Sequence, residues 1–226
     1  MPRSKTTVKV PVTAKILVVD DHPMVREGLS NCLAGQADLT VCGAAADVKE
    51  ALQQIDSTQP DLVVIDISLK DGNGIDLIKQ IRTRNSRIKM LVYSMFDDSA
   101  YAERAVRAGA LGYVNKQEPP EKLLDGIRQV LNGRVYVSDA MLDRFMRRVI
   151  AGNETMAPIA AEALSNRELE IFRLLGSGLT TRRVAEQLHV SVRTVEAHRE
   201  NIKQKLNIRD GAELMRHAVE WVLENQ

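Results

Sequence analysis

Five short apolar runs, rich in β-branched residues, alternate with stretches of helical spacing over roughly the first 135 residues. The runs are residues 15–19, 40–44, 62–65, 88–93 and 111–114. Runs of this length without polar alternation read as strands buried on both faces. Between them, apolar residues recur at helical spacing over 24–33, 47–59, 75–81, 97–108 and 120–132. Strict alternation of strand and helix yields a parallel sheet with helices on both faces. The expected fold of this half is therefore α/β, a doubly wound five-stranded parallel sheet.

In such a sheet, the loops after the strands gather at one edge, where open α/β sheets build their sites. Here those loops carry Asp20 and Asp21 after the first strand, Asp66 after the third, Ser94 at the end of the fourth and Lys116 after the fifth. Taken singly, a strand-end aspartate is ordinarily a turn or cap residue, and a lone lysine is a solvated charge. Together they make a chemical pattern. Three carboxylates within ~5 Å repel by roughly 3 kcal/mol per pair at an effective dielectric of 20. A hard divalent cation with oxygen ligands, Mg²⁺ above all, removes that conflict. A metal-bound carboxylate stays ionised and can attack phosphorus. The Ser94 hydroxyl and the Lys116 ammonium are the donors that phosphoryl oxygens need.

The acid pair Asp20-Asp21, the Val63-Val64-Ile65-Asp66 run, Ser94, and Lys116 preceded by Tyr113 resemble the receiver domain of two-component response regulators. The resemblance implies that Asp66 accepts a phosphoryl group from a sensor histidine kinase. It implies that Asp20, Asp21, Asp66 and the backbone carbonyl of Ser68 hold Mg²⁺, and that Tyr113 swings inward when Ser94 engages the phosphate. Lys70 and Gln117 stand where the family commonly has proline. Met95 is bulkier than the small residue usual after the Ser/Thr position, and is expected to restrict access to Asp66. His22 reads as a loop residue.

Residues 139–151 show helical spacing through Met141, Leu142, Phe145, Met146 and Val149, and the Gly152 to Pro158 stretch then breaks it. Beyond the break, Ser165 with Glu168 three residues on makes a capping box, flanked by Leu164 and Leu169 as a hydrophobic staple. Four helices follow, with a short turn at His189-Val190 between the second and third, the spacing of a helix-turn-helix. The chain as a whole carries a net charge of only +1, so any nucleic-acid contact must come from a local patch. Between Arg182 and Arg209 seven basic residues face three acids, which is such a patch.

The segments L-S-N-R-E-L-E-I (164–171), V-A-E-Q-L-H-V-S (184–191) and R-T-V-E-A-H-R-E-N-I-K-Q-K-L (193–206) resemble the LuxR-type DNA-binding domain. With the receiver, this is the arrangement of NarL/FixJ-class response regulators. The resemblance implies a phosphorylation-dependent transcriptional regulator that binds a double-stranded DNA operator as a homodimer, with helix 192–206 in the major groove. By position, Glu196, Ala197 and Glu200 face base edges and Arg193, Thr194, Arg199 and Lys203 touch phosphates. An unphosphorylated form that keeps this helix partly covered is the further expectation.

The expected layout is a disordered basic tail over 1–14, a receiver over 15–135, a linker helix and tether over 136–162 and a DNA-binding domain over 163–226. No apolar run approaches the ~20 residues of a membrane span, and Cys32 and Cys42 lack metal-like spacing. A cytoplasmic protein with free thiols and no membrane partner is expected. Two other readings stay open: a DNA binder switched by protein contact alone, and an aspartyl-phosphate phosphatase. The second would want an acid two residues after Asp66, where Ser68 stands.

Overall fold

The computed structural model describes residues 13–139 apart from 71, 97 and 98, together with 141–143, 146 and 163–224. The tail expected over 1–14, except Thr13 and Ala14, and the tether expected at 152–158 lie outside these residues, as do Phe145 and Val149.

Strands β1 (Ala14–Val19), β2 (Leu39–Ala45) and β3 (Leu62–Ile65) alternate with helices α1 (Pro23–Ala34) and α2 (Val48–Thr58). A hairpin of two-residue strands, β4 (Ser68–Leu69) and β5 (Gly72–Asn73), leads into α3 (Gly74–Arg84). Strand β6 (Lys89–Ser94), α4 (Ser99–Ala108), β7 (Gly112–Asn115) and α5 (Pro120–Leu131) complete this half. The main sheet runs β2-β1-β3-β6-β7, and every pair is parallel. Strand order reverses beside β1, so the crevice beyond the ends of β1 and β3 is the topological switch point.

Side chains of a strand alternate between faces, and the core divides accordingly. Ile16, Val18, Leu62, Val64 and Leu91 pack with Leu29 and Leu33 of α1 and Leu123, Ile127 and Val130 of α5. Leu17, Val19, Val63, Ile65, Met90 and Val92 pack on the other face with Ala51 and Ile55 of α2, Ile75 and Ile78 of α3, and Ala105 of α4. Met24, where the helical spacing of α1 begins, is exposed.

Four helices form the second half: α6 (Asn166–Gly176), α7 (Thr181–Gln187), α8 (Val192–Leu206) and α9 (Gly211–Glu224). Ser165 caps α6 with both hydrogen bonds of the expected capping box to Glu168. Thr180 caps α7 and Ser191 caps α8 through their side-chain oxygens. Leu169, Phe172 and Leu175 of α6 gather Val184, Val195, Ile202, Leu214, Ala218 and Trp221, all buried. Phe172 and Trp221 meet edge to face, ring centroids 6.1 Å apart. Where α6 ends, a Cβ on Gly176 would fall 2.2 Å from the Ala218 carbonyl oxygen, so only glycine lets α9 come this close. Met141 is buried in the apolar cluster that joins one face of the receiver to this core, while Leu142 and Met146 are exposed. No helix among the described residues is long and apolar enough to cross a membrane.

Candidate phosphoryl-acceptor site and DNA-binding helix

The carboxyl ends of β1, β3, β6 and β7 bring the expected residues together. Asp66 is only 4% exposed, and Asp20 and Ser94 are also buried. Lys116 donates from Nζ to Asp66 Oδ2 at 2.7 Å and to Asp20 Oδ2 at 2.6 Å. Asp66 Oδ1 accepts from the Ile67 backbone N–H at 2.7 Å, and Ser94 Oγ accepts from the Phe96 N–H at 3.5 Å. The strand end itself is pinned from behind. Asn73 Oδ1 accepts from Ile75 N–H at 2.9 Å, and a Cβ on Gly74 would lie 2.0 Å from the Asp66 carbonyl oxygen. Only glycine admits the backbone of α3 so close to the acceptor.

Burial pushes the Asp66 carboxyl above the usual carboxylate range and the Asp20 charge adds to this, against the opposing pull of Lys116 and Ser94. Burial alone would lower the Lys116 ammonium, but Asp66 and Asp20 together hold it above its ordinary 10.5. One cation thus serves two buried carboxylates, and a third stands beside them. One ligand atom from each of Asp20, Asp21, His22 and Asp66 lies within 4.8 Å of the others. Asp21 Oδ1 is buried without a hydrogen bond, 2.6 Å from His22 Nδ1. An oxygen-rich set with an unsatisfied buried carboxylate oxygen suits Mg²⁺, and Asp20, Asp21 and Asp66 would hold it.

Tyr113, expected to swing inward when Ser94 engages a phosphoryl group, is already inside at 7% exposed, donating from Oη to the Phe96 carbonyl. Met95, expected to restrict access to Asp66, is 53% exposed, and the groups hydrogen-bonded to the Asp66 carboxylate are Lys116 and the Ile67 N–H. His22, read from the sequence as a loop residue, belongs to the acid cluster; its adjacency to Asp20-Asp21 was the available signal.

On α8 the outward face is open. Arg193, Thr194, Glu196, Ala197 and Glu200 are exposed, which corrects the expectation that this helix is partly covered. Arg199 and Lys203 are half-buried. Arg199 donates to Thr181 Oγ1 at 2.7 Å and to Glu196 Oε1 at 3.0 Å, and Lys203 pairs with Glu200 at 2.8 Å. Lys205, one of the seven basic residues of this region, is taken up by Glu168 at 2.6 Å and ties α8 to α6. Of the seven, Arg182, Arg183, Arg193, Lys205 and Arg209 are exposed, with Arg182 and Arg183 beside Glu186.

Residues 16–128 match the response regulator receiver domain, and residues 162–218 match the bacterial regulatory proteins of the luxR family. The chain is 37% identical over 211 residues to the oxygen regulatory protein NreC of Staphylococcus carnosus (strain TM300), covering 91% of this chain and 96% of that protein. This chain is a LuxR-type response regulator. It belongs with the NarL family, and is a transcription regulator built of a receiver and a LuxR-type DNA-binding domain. A LuxR-family response regulator from Aurantimonas sp. SI85-9A1 superposes with a TM-score of 0.57 at 36% identity, over 61% of this chain and 99% of that one. RcsB from Salmonella enterica serovar Typhimurium, solved bound to promoter rprA in the presence of phosphomimetic BeF3-, shares the fold with a TM-score of 0.60. Its identity is 22%, over 92% of this chain and 98% of that one.

The contact between receiver and DNA-binding domain does not involve the outer face of α8. It is made by α6, whose Asn166, Glu170 and Arg173 fall at i, i+4 and i+7 and so share one stripe. Glu170 Oε1 accepts from the Ser68 hydroxyl, two residues after Asp66. Asn166 Nδ2 donates to Asp76 Oδ1 at 3.0 Å, and Arg104 donates to Asn166 Oδ1 at 2.9 Å and to the Leu164 carbonyl at 2.8 Å. The Arg173 guanidinium lies 4.4 Å over the Phe96 ring, which stacks on Tyr101 at 4.7 Å.

Proposed function

We propose that the protein is a DNA-binding regulator switched by phosphorylation of Asp66. The observation that carries this reading is the shared use of one lysine by two buried carboxylates beside a third, at the switch point of the sheet. Asp66 attacks the phosphorus of a kinase phosphohistidine; the P–N bond breaks, and the histidine ring leaves with its electron pair and takes a proton from water. Asp20, Asp21, Asp66 and the Ser68 carbonyl would hold Mg²⁺, which would supply positive charge against the phosphoryl oxygens. Lys116 exchanges the Asp66 carboxylate for a phosphoryl oxygen, and Ser94 donates to another. Tyr113 and Phe96 carry the change in the Ser94 loop outward.

The phosphorylated chain dimerises and sets two α8 helices against paired half-sites of a DNA operator. Arg193 and Thr194, with neighbouring Arg182 and Arg183, contact phosphates, while Glu196, Ala197 and Glu200 face base edges. Arg199 and Lys203 reach phosphates once Glu196 and Glu200 release them. RcsB, which shares the fold, was solved on a promoter in the presence of phosphomimetic BeF3-. The protein works in the cytoplasm, under a sensor histidine kinase.

The test is phosphate-affinity electrophoresis of wild type and Asp66→Ala after acetyl phosphate and Mg²⁺, followed by binding to duplexes enriched from random-sequence DNA. A retarded band and tightened binding in wild type alone are expected. Equal behaviour of the two proteins overturns the reading.

A further inference from the structure

The loop between β1 and α1 carries a nitrogen donor that the oxygen site described above does not use. His22 follows Asp21 and precedes Pro23, the first residue of α1. A residue before proline is confined to extended backbone, and His22 lies there at φ −85°, ψ 114°. Its own N–H donates to Asp20 Oδ1 at 2.9 Å, so the peptide is pinned from both sides. Arg26 fixes the same turn by donating from Nη1 to the Asp20 carbonyl at 2.6 Å. The ring is 65% exposed and makes no cap hydrogen bond, yet its Nδ1 is turned back to 2.6 Å from Asp21 Oδ1 and 3.4 Å from Asp20 Oδ1. The Asp21 side chain is only 8% exposed, and its Oδ1 has no hydrogen-bond partner. A buried carboxylate oxygen and an imidazole nitrogen thus point at one place, beside Asp20 and Asp66.

We propose that His22 Nδ1 is a ligand of the acceptor-site cation, so that this site prefers a late first-row divalent ion (Co²⁺, Ni²⁺ or Zn²⁺) to Mg²⁺. The inference rests on the cation site of the phospho-acceptor reading above and adds a ligand and a selectivity to it. Mg²⁺ is hard, takes oxygen ligands and gives up its water reluctantly, so a nitrogen offers it little. Imidazole suits the later transition metals, whose affinity for nitrogen and oxygen donors rises along the row. Three carboxylates with one imidazole therefore favour those ions more than three carboxylates alone. The donor atoms of Asp20, Asp21, His22 and Asp66 already lie within 4.8 Å of one another. Ligands about 2.1 Å from one ion sit no more than about 4.2 Å apart, so closing the set needs a shift of about half an ångström. A largely exposed ring is free to make it. Lys116 occupies Oδ2 of Asp20, while Oδ1 of the same carboxylate is the oxygen nearer His22.

The experiment is calorimetric titration of Mg²⁺ and of Co²⁺ into the full chain without phosphodonor. It compares wild type, His22→Phe and Asp21→Asn, and records the visible absorption of bound Co²⁺ for each. His22→Phe keeps a ring and removes both nitrogens, and α1 loses no cap because the His22 side chain makes none. Wild type is expected to bind Co²⁺ more tightly than Mg²⁺. In His22→Phe the Co²⁺ affinity is expected to fall by about tenfold to a hundredfold, the span seen when even an outer partner of a metal ligand is removed. Its Mg²⁺ affinity should stay within about threefold of wild type, because that ion uses the oxygens. The Co²⁺ absorption should shift as the nitrogen leaves the shell, and Asp21→Asn should weaken both cations. A wild type that prefers Mg²⁺, an unchanged Co²⁺ affinity in His22→Phe, an equal loss for both cations, or full Co²⁺ binding by Asp21→Asn overturns the inference alone. Binding of neither cation by wild type overturns the cation site of the phospho-acceptor reading, and the inference with it.

Discussion

Lys116 is the residue on which the unphosphorylated acceptor site balances, since its one charge answers both Asp20 and Asp66. Lys116→Ala leaves two buried carboxylates facing each other, and removing one partner of a buried pair costs about 3 kcal/mol. The expected outcome is a melting point several degrees lower in Mg²⁺-free buffer, with much of the loss recovered on adding Mg²⁺; calorimetry with and without the cation checks it. Asp66→Asn works in the opposite direction. Because burial raises the Asp66 carboxyl above its ordinary 3.8, the folded chain holds that proton more tightly than the unfolded chain. The stability this contributes is present below pH 3.8 and is lost as the pH rises through the raised value. At pH 7 without Mg²⁺, Asp66→Asn should therefore melt a few degrees above wild type, the scale of about 1 kcal/mol in a chain of this length. The gap should close as the pH falls toward 3.8, which thermal melts across that range would read.

Among the elements, the β4–β5 hairpin and the start of α3 hold the acceptor in place. Gly74→Ala would drive a methyl group into the Asp66 carbonyl oxygen, and backbone cannot yield as a side-chain tip can. Overpacking of this kind costs about 1–3 kcal/mol, and here the displacement falls on the strand end that carries Asp66. Lower stability with slower phosphorylation by acetyl phosphate is expected, and unchanged rates would sink the idea. The main strands of the receiver were legible in the sequence because a strand buried on both faces has to be an apolar run. The hairpin was not legible, since two residues per strand are too few to show a period. Helix α6 could be read as a helix from its capping box, but not as a docking element. A glutamate and an arginine on a helix look like its solvated side, and only the spread of Leu169, Ile171, Phe172, Leu174 and Leu175 around more than one face hinted that two bodies bury it. The Asp20, Asp21, Asp66, Ser94 and Lys116 cluster was legible because strand ends of one parallel sheet share an edge. The ties of Arg199, Lys203 and Lys205 to nearby acids were not, because charge counts say nothing about which charges are already paired.

For the whole molecule, the open face of α8 changes what phosphorylation has to do. If each DNA-binding domain already presents Arg193, Thr194, Glu196, Ala197 and Glu200, a single half-site should distinguish little between states. Asp66→Ala and phosphorylated wild type are expected to bind a one-half-site duplex within about twofold of each other. On paired half-sites the phosphorylated chain should gain about 10²–10⁴-fold, the range reached when a second binding event becomes intramolecular. Fluorescence anisotropy on both duplexes checks this, and a large phosphorylation effect on the single half-site would count against it. The stripe through which α6 meets the receiver bears on the joint between the domains. It is made of an asparagine, a glutamate and an arginine, but it lies within one apolar cluster that runs from Ile67, Phe96 and Tyr101 to Leu164, Leu169 and Phe172. Parting the two domains would wet apolar as well as polar surface, so the joint resists opening by more than its hydrogen bonds.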